Sequence, residues 1–164
     1  MLALVAFLVV CQALGAIIGA VTAVWGELAY VKALRDGKID AAERKHLAII
    51  GHGLRYGLML LLLASLGLIV VAYLEQPATQ PALTSSYWTL SILALVVIGV
   101  SSALARKRIS FALASAILFT AWWFLVYLSF GWLALSFGAA AMAFIVASVI
   151  FYAALSYTRI VFVR

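Results

Sequence analysis

The chain has 164 residues, of which 68% are hydrophobic and only 10% are charged, and its mean hydropathy is +1.24. Soluble globular domains are about half apolar and about a quarter charged, so this composition excludes a soluble domain. The formal net charge of +6 comes from few and scattered lysines and arginines, which argues against the dense basic patch of a nucleic-acid-binding protein.

Five apolar stretches are long enough, or nearly so, to cross a bilayer as helices. The first begins without the basic segment of a signal peptide, so we interpret it as a spanning helix. The sequence therefore predicts an all-α integral membrane bundle, a single domain of five transmembrane helices. The predicted helices cover about residues 3–31, 47–74, 88–105, 109–130 and 132–158.

Basic and uncharged connections alternate between these helices. Segment 32–46 carries five basic residues, the connection at 106–108 carries three, and Arg159 and Arg164 lie near the end of the chain. Segments 75–87 and 129–132 contain no lysine or arginine. Because lysine and arginine hold short loops on the cytoplasmic side, we predict an N-terminus outside and a C-terminus inside a membrane of the bacterial inner-membrane type.

Local signals bound the second helix. The stretch from Asp40 to Glu43 has the spacing of a capping box, which predicts that the helix begins near Ala41. Pro77 and Pro81 interrupt the following segment, which predicts an end near Glu75.

Small residues recur at intervals of four on three of the predicted helices. Such stripes let helix backbones approach in lipid, where no aqueous hydrophobic effect drives association. They therefore predict contact faces, either within the chain or with a second copy or a partner membrane subunit. The stripes are Gly15, Gly19 and Ala23, then Gly53 and Gly57, then Ala139, Ala143 and Ala147.

Four polar residues within or beside the apolar runs are the candidate site: Glu27, His52, Arg55 and Gln12. Ionisable side chains inside a bilayer are costly and often functional. One interpretation is an ion pair between Glu27 and Arg55 that ties helix 1 to helix 2. The other is a polar site on the cytoplasmic side that binds an anion or exchanges a proton through His52. The predicted helices 3 to 5 contain no acid, base or histidine.

Cofactor and catalytic motifs are scarce. His46 and His52 lie six residues apart on one predicted helix, so one chain would not place both on one haem; a single axial ligand or ligation across a dimer stays open. We interpret Cys11 as a buried small hydrophobe. No zinc-protease, nucleophile–base or phosphate-cradling motif occurs, and this favours a non-enzymatic protein.

The stretch LGAIIGAVTAVWGELAYVKALRDGKIDAAE resembles the first hairpin of small, uncharacterised bacterial multi-helix membrane proteins. The shared features are a glycine-rich first helix, a basic turn and a leucine-rich second helix. Such proteins often carry a histidine early in helix 1, where this chain has Gln12. The resemblance implies no activity, and the glutamine weakens any haem role that it would suggest.

Three functions remain open at this point. The first is a non-enzymatic helical subunit or scaffold that packs partner helices or a hydrophobic ligand. The second is a small transporter or channel protomer with a polar site on the cytoplasmic side. The third is a b-type haem membrane protein. All three require the lipid bilayer as a partner, and none requires nucleic acid.

Overall fold

The structure, a computed structural model, describes residues 2–35, 41–75, 84–133 and 135–163, with the backbone alone at 33–35, 41–48, 75, 162 and 163. Within these ranges the chain forms helices and no strand. The helices are α1 (Leu2–Arg35), α2 (Ala41–Glu75), α3 (Ser85–Ala105), α4 (Phe111–Ser129) and α5 (Phe137–Val163). Each of the five is long and apolar enough to cross a membrane. The predicted fold class is confirmed, whereas the predicted orientation stays a prediction.

The ends of two helices bear on the site. α2 begins at Ala41 and ends at Glu75, as predicted, although Asp40 and both prolines that prompted this lie outside the described residues. α5 begins at Phe137 and continues to Val163, beyond the predicted end at 158. Arg159, assigned from the sequence to the tail beyond the last helix, therefore lies inside α5.

The connections on either side of α4 close with local hydrogen bonds. Ser110 caps α4, because its Oγ accepts from the Leu113 amide at 3.4 Å. Gly131, with φ +68°, ends the helix, and the Gly131 and Trp132 amides donate to the carbonyls of Leu128 and Tyr127. This is the Schellman pattern, in which a left-handed residue satisfies the last helical carbonyls.

The α1–α2 contact is a backbone-to-backbone contact between glycines. A methyl group at Gly15 would lie 2.6 Å from the Leu61 amide nitrogen, and one at Gly57 would lie 2.8 Å from the Gly15 carbonyl oxygen. The glycine stripes of the first two helices therefore face each other within the chain. The alanine stripe of α5 differs, because Ala139 is exposed and Ala143 and Ala147 are half-buried.

α4 is the central helix and packs against α1, α3 and α5. Trp122, Leu125 and Thr120 of α4 are fully buried together with Leu61 of α2. The Trp122 ring lies against Gly19 of α1, which has no side chain to keep it away. These residues form a buried middle layer, in which the hydroxyl of Thr120 donates to the Ala116 carbonyl of its own helix.

Candidate functional site

The most buried charges of the described residues form one ion pair between α1 and α5. Arg159 Nε donates to Glu27 Oε1 at 2.7 Å, and Arg159 Nη2 donates to Glu27 Oε2 at 2.8 Å. Each residue is only 8% exposed. A two-point contact between a guanidinium and a carboxylate is among the strongest side-chain hydrogen-bonded pairs, so the two charges neutralise each other where lipid and protein exclude water.

Other side chains complete the surroundings of this guanidinium. Arg159 Nη2 also donates to Ser115 Oγ at 2.6 Å, which adds α4 to the contact. The rings of Tyr30 and Phe111 stack at 3.8 Å between centroids, and the guanidinium carbon lies 5.3 Å and 5.7 Å from those centroids. Aromatic faces attract cations at such distances, so the contact fixes α1, α4 and α5 at one end of the bundle.

The expected pairing of Glu27 with Arg55 is wrong. Arg159 takes that place, and Arg55 is exposed on α2. The physical reason is that α5 continues past Arg159 and directs this side chain into the bundle. The sequence did contain a signal: Arg159 is followed by the apolar residues 160–163, which are unusual in an aqueous tail but normal in a continuing transmembrane helix.

The four predicted site residues do not form one cluster. His52 and Arg55 are exposed on α2 near the end of the bundle that holds Glu27. Gln12 lies 15 residues before Glu27 on α1, about 22 Å away along the axis. Its Nε2 donates to Ser65 Oγ of α2 at 3.2 Å, so the glutamine belongs to a separate site at the opposite end.

We call the end of the bundle that carries Arg106, Lys107 and Arg108 the basic end. Two adjoining cavities open there: the smaller, of about 230 Å³, is lined by α1, α2, α3 and α4, and the larger, of about 460 Å³, lies between α2 and α3 with Leu118 of α4 at its edge. They share Gly51 and Leu54 of α2, and together we call them the basic-end cleft. The larger cavity lies within the range of about 300–1,000 Å³ that is typical of small-molecule sites.

The walls of the basic-end cleft are mostly apolar, and its polar groups are few. Glu27 and Ser115 border the smaller cavity but are occupied by Arg159. Arg55 lines the larger cavity together with Ser101 and Ser102 of α3. Among the residues that the structure describes, no carboxylate pairs with Arg55. Within the part of the chain whose side chains are described, the cleft thus combines an apolar interior with one cation, Arg55, on its lining.

Metal-binding chemistry finds no support among the described side chains, which include no group of three histidine, cysteine or acidic residues close enough to hold an ion. The side chain of His46 lies outside the described residues, and His52 takes part in other contacts. Haem ligation stays an open alternative to the prediction that no cofactor is bound, and a visible absorption spectrum of the purified protein tests it.

Comparisons with protein-family models, with curated proteins and with solved structures give no match for this chain.

Proposed function

We propose that this chain is a non-enzymatic integral membrane protein that binds an anionic, lipid-like ligand in the basic-end cleft. The observation that carries the proposal is the position of Arg55, an exposed cation on the rim of an apolar cleft. A ligand with a phosphate or carboxylate head and a hydrocarbon tail matches both parts. The protein would then be the predicted helical scaffold, and its hydrophobic ligand would carry an anionic head group.

The charge distribution supports an anionic head group. The Glu27–Arg159 pair is internally neutral, so it leaves no net charge for a ligand. Arg55 and the exposed residues Arg106, Lys107 and Arg108 all lie at the same end. Guanidinium groups bind phosphates at two points, and basic groups near a cytoplasmic leaflet attract anionic lipids at about 1 kcal/mol per residue.

The shape of the cleft supports an apolar tail. Leu54 and Leu58 of α2 face Val97 and Ile98 of α3 across the larger cavity. A hydrocarbon chain placed there would extend from Arg55 toward the middle of the bundle. The long arginine side chain would keep its charged head at the interface while its stem lies along apolar surface.

Location and partners follow from the same proposal. With the predicted orientation, the basic end faces the cytoplasm, and the ligand comes from the cytoplasmic leaflet of a bacterial inner membrane. The lipid bilayer is then the necessary partner. The alanine stripe of α5, which is exposed at Ala139 and half-buried at Ala143 and Ala147, would be the contact face for a second copy or another membrane subunit.

The test is thermal unfolding of the purified protein with short-chain phosphatidylglycerol or phosphatidylcholine. We expect the anionic lipid to raise the unfolding midpoint saturably and more strongly than the zwitterionic one, because a ligand that binds the native state stabilises it. In Arg55→Gln, the lipid concentration that gives half of the maximal effect should rise about tenfold or more. The reason is that a hydrogen bond to a charged group contributes about 1.5–3 kcal/mol.

Arg108→Gln is the matched control, because it removes an exposed charge at the same end that does not line the cleft. It should change the concentration dependence less than Arg55→Gln does, because Arg108 attracts the lipid from outside the cleft and makes no direct hydrogen bond to its head group. Equal responses of the two variants would show that the lipid binds by general charge attraction, and the proposal would then fail.

A small transporter is the second candidate, favoured by one observation. A further cavity lies at the other end of the bundle beside Gln12, and the buried layer of Leu61, Trp122 and Leu125 separates the two. Two cavities at opposite ends of the bundle, with a buried layer between them, would be the two halves of a path that is closed in the middle. Flux of an anionic lipid in liposomes, compared between wild type and Arg55→Gln, tests it; no flux in either would count against transport.

A further inference from the structure

A second cavity, of about 350 Å³, lies at the end of the bundle opposite the basic end, and we call it the outer cavity. Gln12 of α1 and Ser65 and Leu68 of α2 line one side. Tyr87 and Leu90 of α3 line the other. Four helices border it, because Leu128 of α4 also contributes. Its volume is within the usual range for ligand sites.

The outer cavity differs from the basic-end cleft in its charge. Among the side chains that the structure describes, none that lines it is acidic or basic. Its polar groups are the Gln12 amide and the Ser65 hydroxyl, with Thr84, Ser86 and Tyr87 at the start of α3. An ionised head group placed here would lose its hydration without gaining a counter-charge, which is strongly unfavourable. A neutral head group avoids that cost.

The Gln12–Ser65 contact leaves hydrogen-bonding capacity at the cavity. Gln12 uses one N–H to donate to Ser65 Oγ. A primary amide has a second N–H and a carbonyl oxygen, and a hydroxyl has a hydrogen to donate. The hydrogen bond from Gln12 to Ser65 is enough to join α1 to α2, and the remaining donors and acceptor are not needed for that contact. A molecule with carbonyl or hydroxyl groups would use the remaining donors and acceptor.

We infer that the outer cavity binds a neutral amphiphile whose head carries carbonyl or hydroxyl oxygens and whose apolar tail lies against Leu68 and Leu90. Gln12 and Ser65 supply the hydrogen bonds to the head. Two kinds of membrane molecule have this chemistry, an isoprenoid quinone and a diacylglycerol. This site is independent of Arg55 and of the anionic ligand proposed for the basic-end cleft.

The experiment measures the thermal unfolding midpoint of purified wild-type protein with decylubiquinone, with dioctanoylglycerol and with short-chain phosphatidylglycerol. We expect at least one neutral ligand to raise the midpoint saturably. The neutral ligand with the lower half-saturating concentration shows whether the cavity prefers a quinone or a diacylglycerol. Arg55→Gln, which lies at the other end, should leave this neutral-ligand response unchanged while it weakens the response to phosphatidylglycerol.

Two variants test the site by different means. Gln12→Leu removes the amide, and Leu68→Phe fills the cavity without touching the polar groups. Each should raise the half-saturating concentration of the neutral ligand about tenfold, the effect of losing roughly 1.4 kcal/mol. The unfolding midpoint without ligand shows whether each variant folds, and if Gln12→Leu does not fold, Leu68→Phe decides.

Three results would overturn the inference. No neutral ligand raises the midpoint, or the folded variants respond to the neutral ligand as wild type does. In the third, only phosphatidylglycerol raises the midpoint, and Arg55→Gln weakens that effect. The last result would support the basic-end proposal while it removes this one. Failure of the basic-end proposal would appear instead as an Arg55-independent response to phosphatidylglycerol, so the two failures are distinguishable.

Discussion

Glu27 and Arg159 lie 132 positions apart in the chain, yet their side chains are joined by two hydrogen bonds inside the bundle. This pair connects α1 to α5, whose apolar segment has the smallest buried share of the five helices. α5 otherwise packs mainly on α4. The pair therefore fixes the basic end of α5, and its removal should affect that end first.

Breaking the pair should destabilise the protein strongly. Arg159→Met leaves the Glu27 carboxylate buried without a partner, and such a loss costs about 3–5 kcal/mol. The double variant with Glu27→Leu and Arg159→Met removes both charges and should recover most of that loss. Reversible unfolding in mixed micelles gives the free energies of unfolding. A single variant as stable as wild type would contradict the arrangement of these side chains.

The need for a partner at Glu27 could be predicted from the sequence, but the choice of Arg159 could not. A buried carboxylate demands a cation, and the nearest one by hairpin geometry is Arg55. Which basic residue pairs with Glu27 depends on where α5 ends and on how α5 is rotated relative to α1. Both are properties of the tertiary structure. The five apolar helices were predictable because bilayer thickness alone dictates their length and composition.

The contact between Gly19 and Trp122 provides a test of the packing of α1 against α4. Its α-carbon faces the fully buried Trp122 ring, so Gly19→Ala should push the ring aside and cost about 1–3 kcal/mol. Gly99 of α3 is the matched control, since a methyl group there would meet nothing within 4 Å. Gly99→Ala should be neutral or slightly stabilising because alanine favours a helix. The free energies of unfolding of the two variants should therefore change in different directions or by clearly different amounts.

Lys107 has a backbone conformation that favours glycine. Its φ is +55°, and it ends α3 with the Schellman hydrogen bonds of the Lys107 and Arg108 amides. The left-handed region costs a residue with a side chain about 1–2 kcal/mol. Lys107→Gly should therefore raise the free energy of unfolding by about 0.5–1 kcal/mol, after the extra freedom of glycine in the unfolded chain is subtracted.

Arg108→Gly provides the comparison for Lys107→Gly. It also removes one positive charge, but at a neighbouring residue whose φ is not positive. It should be neutral or destabilising. If both glycine variants stabilised the protein equally, loss of charge repulsion would explain the effect and the backbone explanation would be wrong.

The predicted orientation can be tested at two exposed connections. Lys107 lies between α3 and α4, and Trp132 lies between α4 and α5. In a chain whose Cys11 is replaced by alanine, we expect Lys107→Cys to resist a membrane-impermeant maleimide in intact cells and to react after lysis. Trp132→Cys should react from outside. The reverse pattern would invert the topology and would place Arg55 in the outer leaflet, while labelling of both cysteines from one side would contradict a membrane-spanning α4.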